Sequence, residues 1–150
     1  MTVGFAPEEI TLDQPTRSAR LKWVLVVDAA LSPGLQVNAA ACVAAAAGSD
    51  VDGLVGPPAD TGEGPIPGLP WIGCTVLGGT GEQLAALREK ALASEGVYVA
   101  QMPEAAQRTR VYAEYLAAVG AGEAGSCLAL AVVGPRNRVD RLTKGLALLP

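Results

Sequence analysis

The sequence contains no histidine, and this absence excludes more chemistry than any other feature of the composition. Histidine is the usual general base beside a catalytic serine or cysteine, and it is a common ligand of zinc. We therefore expect neither Ser-His-Asp nor Cys-His catalysis, and the sequence predicts no metal and no other cofactor. Acid–base chemistry would depend on carboxylates, tyrosine, lysine, cysteine or an activated water.

Cysteine and long apolar runs are also scarce. The three cysteines, Cys42, Cys74 and Cys127, form no Cys-x-x-Cys motif, which is typical of free thiols in a reducing compartment. We expect all three to be small buried core residues. The longest unbroken apolar run, 39–47, is far shorter than the roughly 20 residues needed to span a bilayer. Together with the lack of a signal-peptide core, this predicts a cytoplasmic protein with no membrane partner.

Positive charge is in deficit, with 11 Lys and Arg against 15 Asp and Glu and a net charge of −4. Proteins that bind nucleic acids usually carry a basic face and a high pI, so this balance argues against such a partner. A local exception is the C-terminal basic segment, 136–144, which we interpret as a solvated helix face. Aromatic residues make up only 4% of the chain, so the core is expected to consist of Ala, Val and Leu.

The sequence does contain an alternation of apolar and amphipathic segments. Residues 1–20 form a polar, partly extended lead-in, and residues 21–150 are predicted to form one domain. Four strands are predicted, at 22–28, 71–77, 96–101 and 127–133. Strands that alternate with helices in this way predict an α/β layered sandwich with a largely parallel or mixed sheet.

The segments between the strands predict helices and one long loop. The first helix is expected at 35–47, with Gly48 ending it. A second helix opens on a capping box formed by Thr80 and Gln83. A polar turn at 103–109 leads into a third helix, and a short fourth helix is expected at 137–144. The glycine- and proline-rich segment 50–70 is either a lid over a site or a rigid surface loop.

Three strings of the sequence, in this order, resemble the type II peptidyl-tRNA hydrolases. LKWVLVVD followed by GLQVNAAACVA is similar to their first strand and helix, and LREKALASEGVYVAQMPEAAQRT to their second helix, third strand and active-site turn. VVGPRNRVDRLTKGLALL is similar to their C-terminal segment. The likeness is closer to a bacterial domain-of-unknown-function family, number two thousand, which shares this fold. The resemblance implies a three-layer α/β/α sandwich, with a four-stranded mixed sheet and two helices on each face.

The resemblance also implies a site where the first helix begins and the turn after the third strand approaches it. In the hydrolases that helix start carries two lysines, and Gly34 and Gln36 occupy the matching positions here. Such lysines would contact phosphate and stabilise the anion formed when an ester is attacked. Their loss predicts that the chain is not a functional peptidyl-tRNA hydrolase and that tRNA is not a partner.

The candidate site residues come from both of these segments and from the end of the first strand. The predicted catalytic residues are Glu104, Thr109 and Asp28. The predicted ligand-binding residues are Gln36, Asn38, Arg108 and Tyr112. Thr109 matches a threonine of the hydrolase turn, and Glu104 takes the place of its aspartate if one residue is inserted. Such a set could bind a polar ligand or orient a water, but the same residue types also serve as helix caps.

Two functions remain open from the sequence, and whether the chain is an enzyme is undecided. The first is a hydrolase-like or binding domain for a small polar metabolite or an acyl or aminoacyl ester. The second is a non-catalytic assembly domain that forms a homodimer through Trp71 and the apolar C-terminal end, since exposed strand edges favour such contacts.

Overall fold

The computed structural model describes residues 2–150, and its centre is a five-stranded mixed sheet. The strands within residues 2–150 are β1 (Leu21–Asp28), β2 (Ala59–Asp60), β3 (Pro65–Ile66), β4 (Cys74–Gly79), β5 (Tyr98–Pro103), β6 (Cys127–Pro135) and β7 (Ala147–Leu148). The central sheet has the order β5-β6-β1-β4-β7, while β2 and β3 form a separate hairpin. The α/β class is confirmed, but the expected number of four strands was wrong. The fifth strand is two residues long, too short for its alternation to be recognised in the sequence.

The direction of the strands decides where their polar ends meet. β1 is parallel to β4 and antiparallel to β6, and β5 and β7 are each antiparallel to their neighbour. β1, β4 and β5 therefore run in the same direction, and their last residues, Asp28, Gly79 and Pro103, share one edge. In open α/β sheets this carboxyl edge is where ligands bind.

Five α-helices occur within residues 2–150. They are α1 (Pro33–Asp50), α2 (Gly81–Leu92), α3 (Glu104–Arg108), α4 (Tyr112–Gly120) and α5 (Arg136–Leu142). The predicted end of the first helix at Gly48 was wrong, because α1 continues through this glycine to Asp50. Ala47 and Val51 on either side are buried, and this burial outweighs the roughly 1 kcal/mol that a glycine costs within a helix. The predicted polar turn after the third strand was also wrong, since it contains the short helix α3.

The capping box that opens α2 is confirmed. The Gln83 amide donates to Thr80 Oγ1 at 3.1 Å, and the Thr80 amide donates to Gln83 Oε1 at 2.9 Å. The inner face of this helix, Leu84, Leu87 and Ala91, is buried as expected.

Apolar side chains pack on both faces of the sheet. Trp23, Leu25 and Val27 of β1 belong to a cluster that contains α1. Val24 and Val26 point the other way, into a cluster that contains α2 and α5. None of the helices in residues 2–150 is both long and apolar enough to cross a bilayer.

The lead-in packs against the rest of the chain. Phe5 is buried, and its ring centroid lies 4.9 Å from that of Trp71. Arg20 Nε lies 2.5 Å from Glu9 Oε1, and this hydrogen bond lowers the pKa of Glu9 to about 2. Residues 2–20 are therefore held by an aromatic contact and an ion pair.

Candidate functional site

The predicted site residues lie on elements that meet near the carboxyl edge of the sheet. Asp28 ends β1, Gln36 and Asn38 lie in the first turns of α1, and Glu104 and Arg108 belong to α3. Their side chains, however, form separate local groups rather than one constellation.

The first group stabilises the turn between β1 and α1. Asp28 Oδ1 accepts a hydrogen bond from the Ala30 amide at 2.9 Å. Gln36 Nε2 donates to the Ala29 carbonyl at 3.3 Å. Both side chains therefore bond to the backbone of the same turn.

A second group joins α1 to α3. Gln107 Nε2 donates to Asn38 Oδ1 at 3.2 Å and to the Leu35 carbonyl at 3.1 Å. Gln107 was not among the predicted residues, because an amide in a short polar segment carries no signal of a partner about seventy positions away in the chain. Asn38 thus helps to position α3 over the start of α1.

A third group joins the start and the end of segment 104–126, which contains α3 and α4. Glu104 Oε2 accepts from the Ser126 amide at 3.3 Å, and the Glu104 amide donates to the Ser126 carbonyl at 2.8 Å. Arg108 Nη2 donates to the Glu123 carbonyl at 2.9 Å. Gly125 makes this approach possible, since it has a φ of +78° and a Cβ there would lie 2.8 Å from Glu104. Glu104 and Arg108 therefore hold the two ends of the segment together.

Thr109 and Tyr112 are the two predicted residues that line a sizeable groove. This α1–α4 groove has a volume of about 470 Å³. Its lining consists of Cys42, Val43, Ala46, Gln101, Met102, Pro103, Ala106, Thr109, Arg110, Val111, Tyr112 and Tyr115. The other predicted residues are not part of this lining. The segment 51–70 does not contribute to this lining either.

The α1–α4 groove combines an aromatic wall with a few polar groups. The rings of Tyr112 and Tyr115 are 5.3 Å apart at an interplanar angle of 57°, and Tyr112 is 74% exposed. Arg110 makes no hydrogen bond or ion pair with any residue in 2–150. The Thr109 hydroxyl donates to the Ala105 carbonyl at 2.8 Å, which leaves its oxygen able to accept. The groove can therefore hold a ligand whose aromatic or aliphatic part contacts the tyrosines and whose anionic or polar part lies beside Arg110.

The expectation that all cysteines are buried was wrong for Cys42 and Cys74, and Cys127 is only partly buried. Cys42 is exposed and lines the groove, because the buried positions of α1 are Ala39, Val43 and Ala47, at four-residue spacing. Cys74 is exposed because it is the first residue of β4, where the strand begins.

A second groove lies on the other side of Tyr115, between α2 and α4. It has a volume of about 440 Å³, and Tyr115, Gln101 and Pro103 line both grooves. Arg88 Nε donates to Gln101 Oε1. Cys127 lies at its base, where burial raises the pKa of the thiol to about 11. Across residues 2–150, no three His, Cys, Asp or Glu residues are grouped in a way that could hold a metal ion.

The fold and these grooves define a class of α/β proteins with concave sites near the carboxyl edge of a mixed sheet. Residues 21–150 match the family described as "Protein of unknown function (DUF2000)", and the chain belongs to this family. A solved structure of a protein of unknown function from Agrobacterium tumefaciens is similar, with a TM-score of 0.73 and 19% sequence identity. The similarity covers 86% of this chain and 97% of that one, and at this identity it shows the fold alone. No curated protein sequence matches the chain.

Proposed function

We propose that this chain binds a small metabolite in the α1–α4 groove, with an acyl or aminoacyl compound as the ligand class. An apolar or aromatic part of the ligand contacts Tyr112 and Tyr115, and a carboxylate or carbonyl oxygen faces Arg110. The observation that carries the proposal is the pairing of an aromatic wall with an arginine that has no partner in residues 2–150. The volume of about 470 Å³ falls within the range usual for small-molecule sites.

Binding is a better-supported function for this groove than hydrolysis. The two carboxylates predicted to activate a water, Glu104 and Asp28, do not line the groove, and each accepts a hydrogen bond from a backbone amide. Thr109 donates its hydroxyl proton to a carbonyl of its own helix. Catalysis in this groove would therefore require the two carboxylates to move into it, and Thr109 would have to give up the Ala105 carbonyl before it could donate to a ligand.

The proposed fold is the three-layer sandwich of the type II peptidyl-tRNA hydrolases, extended by the fifth strand. The support for it is the order of the three sequence strings and the two apolar clusters on opposite faces of the sheet. The positions that match the two hydrolase lysines are Gly34 and Gln36, so the function proposed here does not include peptidyl-tRNA hydrolysis.

A pair of ligands that differ in charge tests the proposed function. N-acetylphenylalanine carries an aromatic ring and a carboxylate, whereas its amide lacks the negative charge. We expect Arg110→Gln to weaken binding of the acid by roughly tenfold, since a hydrogen bond to a charged group is worth about 1.5–3 kcal/mol. The amide should lose much less affinity, because its carbonyl oxygen accepts from Arg110 without a negative charge, and Tyr112→Ala should weaken both compounds.

Isothermal titration calorimetry measures these affinities, and Arg141→Gln is the matched control because Arg141 lies on α5, outside the groove. If neither compound binds, or if binding survives both groove substitutions, the α1–α4 groove is not the site.

The exposed face of α4 supports a second candidate, assembly into a homodimer. No residue of α4 is buried, and Leu116 and Val119 are both exposed. Leu148 of the edge strand β7 is 69% exposed, whereas Trp71 packs on Phe5 and donates to the Gly53 carbonyl at 2.7 Å. We therefore assign the apolar contact to α4 and β7 rather than to Trp71. Light scattering over a dilution series tests this, and a monomer at every concentration would contradict it.

A further inference from the structure

A cavity outside the proposed ligand groove lies at the opposite edge of the sheet, where β1 and β4 begin. It has a volume of about 280 Å³. Its lining consists of Thr16, Arg17, Leu21, Lys22, Ile72, Gly73, Cys74, Thr75 and Arg136. These residues come from the lead-in, from the starts of two parallel strands and from the start of α5, so the cavity exists only in the folded chain.

The lining of this cavity has three cations and no carboxylate. Lys22 Nζ lies 2.5 Å from Asp140 Oδ1, so its charge is compensated. Arg136 Nη2 donates to the Ala19 carbonyl at 3.3 Å, which uses one of its donors and leaves its charge uncompensated. Arg17 makes no hydrogen bond or ion pair with any residue in 2–150. Two arginines without an acidic partner therefore line one small space in a chain whose net charge is −4.

Arg17 and Arg136 could instead be ordinary solvated surface arginines that bind nothing. The ion pairs of the neighbouring cations argue against this explanation. In the same region Arg20 is paired with Glu9, and Lys22 is paired with Asp140. Acidic partners are thus supplied to Lys22 in the lining and to Arg20 beside it, while Arg17 and Arg136 receive none.

Neutral donors complete the lining. The hydroxyls of Thr16 and Thr75 belong to it, and neither donates a hydrogen bond to another residue in 2–150. Leu21 and Ile72 are buried and form apolar parts of the wall. Guanidinium groups present planar pairs of donors that match phosphate oxygens, and hydroxyls add single hydrogen bonds.

We propose that this cavity, which we call the Arg17–Arg136 pocket, binds a small phosphate-bearing anion. The anion is inorganic phosphate or the phosphate group of a phosphorylated metabolite, held by the two guanidinium groups and the two threonine hydroxyls. Because Thr16 and Arg17 precede the family match at 21–150, the bound phosphate joins the lead-in to the domain.

Calorimetric titration with inorganic phosphate and with glycerol 3-phosphate, at constant ionic strength, tests the proposal. We expect saturable binding that Arg17→Gln weakens by about tenfold or more, since charge-assisted hydrogen bonds are the stronger ones. Arg17→Lys keeps the charge but loses the planar donor pair, so its affinity should be intermediate. Tighter binding of glycerol 3-phosphate than of phosphate identifies an ester as the ligand, and the reverse identifies the free ion.

Arg17→Gln is the decisive variant, because Arg17 supports no other residue in 2–150, whereas Arg136 also bonds to the Ala19 carbonyl. Arg141→Gln removes one positive charge away from the pocket and controls for a general electrostatic effect. Amide hydrogen exchange of residues 14–18 provides a second measurement, and we expect phosphate to slow it in the wild type but not in Arg17→Gln.

Three results would overturn the proposal. They are the absence of saturable binding by either compound, an affinity unchanged by Arg17→Gln, and an equal loss in Arg17→Gln and Arg141→Gln.

Discussion

Gly125 shows how one residue type permits a local arrangement. Its φ of +78° lies in the left-handed region that side-chain-bearing residues rarely adopt, and it lets the carboxylate of Glu104 reach the Ser126 amide. Gly122 has a similar φ of +77°, but a Cβ there would meet no atom within 4 Å. The two glycines therefore share a positive φ, but only Gly125 lies against another side chain, that of Glu104.

We predict that Gly125→Ala destabilises the protein more than Gly122→Ala does. Each substitution introduces a strained φ, which costs about 1–2 kcal/mol. At position 125 the new Cβ would also come within 2.8 Å of Glu104 Cβ and Oε2. Either the hydrogen bond between Glu104 and the Ser126 amide breaks or the backbone moves. Urea denaturation of both variants measures the difference in the free energy of unfolding. Equal losses in unfolding free energy would contradict the prediction, since they would mean that moving the Glu104 side chain has no measurable cost.

Tyr98 provides a second prediction at the level of the residue. Its hydroxyl donates to Asp50 Oδ2 at 2.9 Å, and burial together with this hydrogen bond raises the pKa of Tyr98 to about 12 from an ordinary value near 10. Above pH 10 the unfolded chain loses this proton while the folded chain retains it. The stabilisation is therefore present below pH 10 and is lost as the pH rises towards 12.

Comparison of the wild type with Tyr98→Phe isolates this effect, since phenylalanine keeps the ring and removes the titrating group. We expect the wild-type advantage in unfolding free energy at pH 9 to decline by pH 11.5. A difference between the two proteins that stays constant over this range would contradict the prediction.

At the scale of secondary structure, α2 is the element whose start is determined most locally. Thr80 and Gln83 satisfy each other's backbone amides, and no distant segment is involved. By contrast, α1 continues through Gly48 because it packs on the sheet, and α3 forms where only a polar turn was expected.

We predict that Thr80→Ala lowers the free energy of unfolding by about 1 kcal/mol, the usual cost of losing an N-cap side chain. Thermal and chemical denaturation measure it. Ser94→Ala serves as the control, since Ser94 Oγ donates to the Lys90 carbonyl beyond the opposite end of the same helix. A loss from Thr80→Ala no greater than that from Ser94→Ala would show that the capping box contributes little.

At the scale of the whole molecule, the distribution of charge bears on whether RNA is a partner. The chain is acidic overall, and glycine and glutamine occupy the positions that match the two hydrolase lysines. Proteins that bind RNA through its phosphates depend on several cationic contacts, and their affinity falls steeply with salt.

We therefore predict no appreciable peptidyl-tRNA hydrolase activity. The measurement is the release of labelled peptide from a peptidyl-tRNA at low salt, beside a functional hydrolase as the control. Turnover within about tenfold of that control, a barrier difference of only about 1.4 kcal/mol, would refute the prediction.

The sequence by itself determined the features that depend on short-range pattern. The buried β1, the capping box of α2 and the α/β class follow from apolar runs and from side chains that bond to neighbouring backbone. The family also follows from strings that keep their order along the chain. Each of these signals is contained within one or two neighbouring elements.

Tertiary structure alone decided the features that join distant segments. β7 pairs with Leu77 and Gly78 some seventy residues away, and Gln107 bonds to Asn38 across a similar separation. The grooves beside Tyr115 and the Arg17–Arg136 pocket each combine side chains from several segments. A cavity depends on which distant segments pack against each other, and the local hydrophobic periodicity of a sequence does not specify those contacts. The candidate residues were for this reason recognisable by type in the sequence, while their division into separate hydrogen-bonded groups was not.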